Sequence, residues 1–520
     1  MELDPSNIWV GVGRMKADQV TFPLKPVYDK KGIVFKQAKA VALHPEGKGG
    51  SSRGSVDIVW TQPERSGQEE NLEYDYVINA TGPKLNFGAT PGLGPDGHTV
   101  SVCTYGHATE AAQKLEECIQ RMKAGQRQTI VIGVGHGTCT CEGAAFEYTF
   151  NVEHELRERG VRDMADVIYF TNEHELGDFG VGGLTFKQQG FVTTSKLWTE
   201  SLFKERGVKS VLAAHAQKIE EGKLYYETIT GEEGVLDFDF AMLLPPFRGQ
   251  DLQAFDKDGA DITGSVFAPS GFLKVDADYT PKPYEEWKAS DWPSTYVSPG
   301  YANVFAVGIA FAPPHQISRP RTNPNGTVIA PAPPRTGMPS GLMGRAVAQS
   351  IADMIKGKAT APTHHASMAE MGAACVASAG AGFTKGTAAS MTMYPVVPDY
   401  DKFPGYGRSL SETTGEIGLA GHWMKHLLHH MFIYKAKGKP GWQIIPSDRR
   451  PADPTSPERG AMTTTPSEPA APSVVIQPDA YQAPMPTEST VRKRTNLPIQ
   501  AYRFGAVSVK MMRMILRSHG

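Results

Sequence analysis

The sequence predicts an α/β protein, and two patterns carry that prediction. The run QTIVIGVGHGTCTCEGAAFEYTFNVEHELRERGV (128–161) reads as strand, glycine turn and helix, the opening of a βαβ nucleotide-type unit. A second strand-like run, VIYFTNE (167–173), follows at the separation that lets it pair parallel to the first.

Upstream, residues 30–130 alternate short β-like runs (GIVFKQAKAVAL, SVDIVWT, YDYVINAT) with Gly/Pro turns, then give a helical stretch, HATEAAQKLEECIQRMKAG, closed by a glycine stop. Downstream, KLYYETI and FDFAMLLP add strands to a mixed α/β layer. From 301 the chain reads YANVFAVGIAFAPP, a buried strand entering a Pro-rich loop, then a Thr-Gly turn and the helix GLMGRAVAQSIADMIKG. The segment PADPTSPERGAMTTTPSEPAAP has few apolar anchors to offset the entropy of ordering, so 447–500 is expected to be a disordered linker. In the last stretch, VSVKMMRMILRSHG, Lys510, Arg513 and Arg517 lie near one helical face, a basic amphipathic signal set against the blander reading of a frayed, solvated tail.

A chain of 520 residues holds two or three folding units at roughly 100–200 residues each. With 53 basic and 55 acidic residues there is no overall attraction to nucleic acid, and no nucleic-acid partner is expected. The five cysteines, an odd number, are too few for a disulfide scaffold and read as buried thiols or redox groups in a reducing compartment. The N-terminus MELDPSNIWVGVGRM has no basic region followed by an apolar stretch, and no run of about 18 apolar residues occurs, so neither an export signal nor a spanning helix is expected.

Gly133, Gly135 and Gly137 stand between a β-branched strand and a helix, where glycine lets a backbone approach a pyrophosphate. Close packing of strand on helix accounts for the same turn, and the next strand ends Phe170-Thr171-Asn172 without a clear acidic ribose ligand. Cys141, with Cys139 two positions earlier, begins that helix, where peptide dipoles favour a nucleophilic thiolate; the alternative is a small buried hydrophobe. Cys-x-Cys without a second ligand pair does not make a zinc site, and no metal is expected.

The segment GHWMKHLLHHMFIYKAKGKPGW (421–442) combines Trp423, Leu427, Leu428, Met431 and Phe432 with Lys425, Lys435, Lys437 and Lys439. That pattern suits a helix lying at a membrane surface through about 419–442, or an amphipathic helix facing a core. Its i, i+4 histidines lack the acidic or Cys partner a metal would want.

Across residues 5 to about 446 the chain resembles the sulfide:quinone oxidoreductases, through PSNIWVGVG (5–13), NATGPKL (79–85), SVCTYGHA (101–108), CEGAAFEY (141–148), ANVFAVGIA (302–310) and PPRTG (333–337) in that order. The resemblance implies a Rossmann-like, glutathione-reductase-like flavoprotein with two dinucleotide-binding domains. It implies FAD as cofactor, sulfide as electron donor by way of cysteine-bound sulfur, a quinone as acceptor, and peripheral attachment to the cytoplasmic membrane on a side the sequence does not fix. A homo-oligomer is compatible with it.

By the same likeness, Ser6 and Asn7 approach the flavin, Thr81 and Gly82 pass its phosphate–ribose region, Gly308 borders its extended chain, and Arg335, Thr336 and Gly337 face the isoalloxazine. A fixed guanidinium there favours the anionic reduced flavin. Cys141 matches the sulfur-carrying cysteine, Cys103 one attached covalently to flavin in some members, and His107 a proton-transferring histidine. The implied division is 1–105 with 300–360 for the FAD domain, 106–299 for a second Rossmann-like, NAD-type domain, 361–446 for a membrane- and quinone-facing region, and 447–520 for a disordered tail with a short basic segment.

Three departures accompany the likeness. The first FAD-binding βαβ is expected to be incomplete, since the chain opens roughly 40 residues beyond the family's G-x-G-x-x-G turn. Ser367 stands where many relatives carry a second redox cysteine, with Cys375 eight residues on as its candidate replacement, and Asp178 in LGDFGVGG stands where the family has a histidine. An NADH:quinone dehydrogenase using the turn at 133–137, and a non-catalytic truncated paralogue that binds a membrane or partner, remain as alternatives.

Overall fold

The computed structural model describes residues 6–140, 142–188, 191–334, 337–442 and 475–517. A buried turn of helix, α1 (Asn7–Gly11), comes first. The strands β1 (Ala38–His44), β2 (Ser55–Trp60) and β3 (Glu69–Glu73) pair antiparallel, and β4 (Val77–Asn79) follows. The helix α2 (Tyr105–Lys123) buries Ala108, Ala111, Leu115, Cys118, Ile119 and Met122, the three- and four-residue spacing of one helical face. Thr104 caps it by accepting the His107 N–H.

The strand–turn–helix pattern of the sequence is realised as β5 (Gln128–Val134) and α3 (Glu142–Glu158), followed by β6 (Ala165–Phe170), α4 (Ser195–Arg206), β7 (Lys209–Val211) and β8 (Phe240–Leu244). These four strands form a parallel sheet in the order β7-β6-β5-β8, with Ile130 opposite Val167 and Phe240. Ile130, Val131, Ile132 and Val134 are all buried, as expected of a parallel sheet covered on both faces.

A second parallel pair joins β4 to β9 (Val304–Ala306), and the helix α5 (Gly337–Ile355) starts beside it. The C-terminal layer is an antiparallel sheet of β10 (Ala373–Ala379), β11 (Thr387–Met393) and β12 (Thr414–Gly418), leading into the helix α6 (Leu419–Ala436). Helix α3 lies between this layer and the parallel sheet, which is why it is buried nearly all round, polar positions included.

The expected disordered tail is corrected over its described part. Ile476 exchanges backbone hydrogen bonds with Ser210, at 3.1 and 2.7 Å, and buried Tyr481 donates its hydroxyl towards the Val208 carbonyl and Ser210 Oγ. Two helices follow, α7 (Glu488–Thr495) and α8 (Leu497–Arg517), with Arg494 paired to Glu205 at 2.6 Å. Phe504, Val507 and Met511 of α8 pack with Met424 and Leu428 of α6. A low average of apolar residues concealed these few, well-spaced anchors. Residues 443–474, which hold most of the Pro/Thr/Ser-rich segment, lie outside the described residues, as do the side chains of Arg513 and Arg517.

Candidate active site

Two parallel strand ends meet at the first part of the site. The β4–β9 pairing continues one step past the strands, where Val307 N–H donates to the Asn79 carbonyl at 3.0 Å. Asn79 Oδ1 then accepts from Thr81 N (3.2 Å) and Thr81 Oγ1 (2.8 Å), a side-chain turn that ends β4. Gly82 and Gly308 follow their strands at φ +67° and +65°, a region that favours glycine. A Cβ on Gly308 would come within 3.2 Å of Ser340 Oγ in the first turns of α5, whereas the space beside Gly82 is open to 4 Å.

Thr81, Gly82, Gly308 and the start of α5 at Gly337 therefore share one end of the parallel pair. Ligands of open α/β sheets bind at the carboxyl ends of the strands, where glycine admits a phosphate chain and a helix start offers free N–H groups. Thr81, Gly82 and Gly308 have the chemistry to pass the phosphate–ribose and extended part of the FAD that the resemblance implies, and Gly337, expected at the isoalloxazine, begins α5 at the same end. Arg335 and Thr336 lie outside the described residues.

The glycine turn at 133–137 is different, because protein fills it. A Cβ on Gly133 would sit 1.7 Å from the Phe170 carbonyl oxygen, and one on Gly135 would meet Leu93 Cδ1 at 2.5 Å. Gly137 N–H donates to His215 Nδ1 at 2.9 Å, while the Gly137 carbonyl accepts from Ala330 N–H at 2.8 Å. Ala332 N–H donates in turn to the Cys139 carbonyl at 2.8 Å. Of the two readings of this turn, close packing is the one its contacts support.

Ser6 and Asn7 are buried at the start of α1, with Ser6 Oγ 2.8 Å from His429 Nδ1 on α6. Trp9 stacks on His426 with ring centroids 4.6 Å apart and donates its indole N–H to the Ser378 carbonyl at 3.0 Å. The inner face of α6 is thus a core face, the second of the two expectations for this helix. Leu427, Phe432 and Tyr434 remain exposed on it. No helix among the described residues is long and apolar enough to cross a membrane.

Cys375 is half-buried on β10, and burial pushes its thiol up to about 11, with Lys425 opposing that rise. Lys425 Nζ pairs with Glu147 Oε2 at 3.0 Å, and Ser378 N–H donates to Glu147 Oε1 at 3.1 Å. Burial raises the Glu147 carboxyl as well, and the Lys425 charge restrains it. Cys103 is partly buried just before α2, its N–H donating to Ser101 Oγ at 3.1 Å. His107 stands edge-on to Phe87 at 5.7 Å, and its buried Nδ1 has no hydrogen-bond partner among the described residues. Cys141 lies outside the described residues, immediately before α3.

Three buried carboxyl groups gather about the start of α3, and the sequence reading singled out only one of them, Asp178. Glu142 opens α3, Glu173 follows β6, and Asp178 lies in the glycine turn beyond. Burial raises all three, and for Glu142 the charge of Glu173 adds to that rise. The available sequence signal was a glutamate directly after Cys141 in an otherwise apolar helix start.

No protein-family model matches the chain. A curated sulfide-quinone reductase from Aquifex aeolicus (strain VF5) is 28% identical over 435 residues, covering 83% of this chain and 82% of the relative. The X-ray structure of the sulfide:quinone oxidoreductase from that hyperthermophilic bacterium superposes with a TM-score of 0.62 at 25% identity, covering 84% of this chain and 83% of that one. The chain therefore resembles the sulfide:quinone oxidoreductases in both sequence and fold across most of its length.

Proposed function

We propose that the chain is an FAD-dependent oxidoreductase that carries electrons from sulfide, by way of cysteine-bound sulfur and the flavin, to a membrane quinone. The observation that carries this reading is the contrast between two glycine turns. The space beside Gly82 and Gly337 is open to 4 Å, while the turn at 133–137 is filled by Phe170, Leu93 and His215. That contrast favours sulfide over NADH as the electron source.

FAD, when bound, supplies the two-electron chemistry between sulfur and quinone. Thr81 and Gly82 pass its phosphate–ribose region and Gly308 borders its extended chain; Ser6 and Asn7 approach the flavin from α1, and Arg335, Thr336 and Gly337 face the isoalloxazine. Cys141 is the sulfur-carrying nucleophile, Cys375 the second redox cysteine, Cys103 a point of covalent flavin attachment and His107 a proton carrier. Lys425, charged beside Cys375, stabilises a thiolate there. Peripheral membrane contact comes from Leu427, Phe432 and Tyr434 of α6 together with Tyr502, Val509 and Met512 of α8, all exposed.

Cysteine variants of the purified chain test these roles. Cys141→Ser is expected to abolish sulfide-dependent quinone reduction while leaving the flavin spectrum intact; full activity in that variant would overturn the assignment. Flavin colour retained in the acid-precipitated pellet, and lost in Cys103→Ser, is the outcome expected of covalent attachment.

A further inference from the structure

Helix α6 turns a row of imidazoles inward. His422 and His429 are buried, and His426 between them has a buried Nε2 with no hydrogen-bond partner among the described residues. His422 and His426 stand edge to face with ring centroids 4.6 Å apart, and His426 lies flat on Trp9 of α1 at the same separation. Positions 422, 426 and 429 have the spacing of one helical face. Among the described residues no group of three His, Cys, Asp or Glu side chains could hold a metal, so the row needs another account.

The contacts of these rings suit neutral imidazole. The Gly382 carbonyl can only accept, so His422 Nε2 carries the proton there (3.0 Å) and Nδ1 accepts from Ser378 Oγ at 2.8 Å. The turn at 380–386 presses on the same ring, since a Cβ on Gly386 would stand 2.2 Å from His422 Nε2. His429 Nδ1 meets Ser6 Oγ at 2.8 Å. A protonated His426 would carry an N–H at Nε2, a buried donor with no acceptor.

No anion acts on the row. The ionisable groups acting on His422 are His426 and His154 of α3; on His426, His430; on His429, His430, His426 and Lys425. All of them oppose a further positive charge. Glu147 of α3 is committed to Lys425 and the Ser378 N–H, and Glu416 of β12 pairs with Arg503 of α8 at 3.3 Å. His154 lies among Arg206, Arg14, Glu153 and Glu158, and those arginines already pair with those carboxylates. Lys385 of the 380–386 turn and Lys510 of α8 are positive as well. Strand β10 brings the Cys375 thiol, while α1 and β11 bring no ionisable side chain. The Trp9 face would attract a cation, but Lys425 Nζ already stands 6.0 Å from its centre.

We propose that α6 is an acid-released arm: protons taken up by His422, His426 and His429 part it from α1 and β10 while the parallel sheet stays folded. Release withdraws Lys425 from Glu147 and Cys375, and it separates His429 from Ser6. Burial holds His422 and His429 down to about 4 in the docked helix, and it lowers His426 too, against an ordinary imidazole value of 6.5 once released. Because the docked value is the lower one, docking is complete above about 6.5 and is lost as pH falls from there towards about 4.

Hydrogen exchange of the full chain, read by mass spectrometry from pH 7 to pH 4 and corrected for intrinsic exchange, tests this. The opening constant of α6 amides is expected to rise more than tenfold per pH unit below 6.5, since more than one proton is bound on release. Amides of β5 and β6 are expected to stay protected over the same range. A combined His422→Gln, His426→Phe and His429→Gln variant is expected to keep α6 protected down to pH 4. Should that variant fail to fold, His429→Gln alone is expected to flatten the wild-type slope by about one proton. The proposal is overturned if α6 stays closed at pH 4 in the wild type, if it opens only together with β5 and β6, or if the substitutions leave the slope unchanged.

Discussion

Gly137 commits its backbone N–H to His215 Nδ1 at 2.9 Å, so the donor that a nicotinamide dinucleotide's pyrophosphate would need at this turn is already paired inside the protein. NADH is accordingly expected to show no saturable binding to the purified chain by calorimetry. His215→Ala should not create binding, because Ala330 still holds the Gly137 carbonyl and Leu93 still fills the space at Gly135. Tight NADH binding by the wild type would contradict the packing of this turn.

Gln500 on α8 is fully buried and accepts the Ala420 N–H of α6 at 2.9 Å, while its own amide donates to the Lys493 carbonyl at 2.7 Å. Gln500→Ala is predicted to lower stability by about 1–3 kcal/mol, the cost of leaving buried polar groups unpaired. Urea denaturation measures it, and an unchanged midpoint would mean that the tail helices do not dock on α6.

Much of the fold was legible from pattern. The β-branched run before Gly133 and the spacing of Ala108, Ala111, Leu115 and Met122 announced a parallel strand and an amphipathic helix, because local periodicity and burial agree there. The glycines of 133–137 have the same spacing whether they admit a phosphate or a neighbouring strand. Only the long-range contacts with Phe170, Leu93 and His215 separate the two. Composition failed at 475–512, where order rests on single residues such as Tyr481 and Gln500. Glu142 and Glu173 were invisible as a pair because a strand and a turn far along the chain bring them together.

Glu153 is 0% exposed and bound by Arg206 at 2.5 Å, by Arg157, and by Arg162 at 3.5 Å. Burial opposes its charge, but Arg206 and Arg157 outweigh burial and hold the carboxyl below its ordinary value. Glu153→Gln is expected to destabilise the fold by about 3–5 kcal/mol, since it leaves buried cations unpaired. The folded-state value lies below the unfolded one, so the stabilisation is complete above the unfolded carboxylate range and is lost as pH falls through the folded value. The difference between wild type and Glu153→Gln in thermal melts should therefore narrow in acid.

Lys425 is the cation that lowers the Cys375 thiol against the effect of burial. Lys425→Met is predicted to slow alkylation of Cys375 by iodoacetamide at a given pH, because less thiolate is present. Peptide mass spectrometry across pH reads the effect. An unchanged profile would mean that Lys425 serves only its ion pair with Glu147.

The most direct test of the central claim is anaerobic reduction of the flavin-loaded chain, followed by visible absorption, with sulfide and NADH offered to separate samples. Bleaching by sulfide, recovery on adding a quinone and indifference to NADH are the predicted results. Bleaching by NADH with none by sulfide would contradict the account, and it would show that the turn at Gly137 opens to a nucleotide after all.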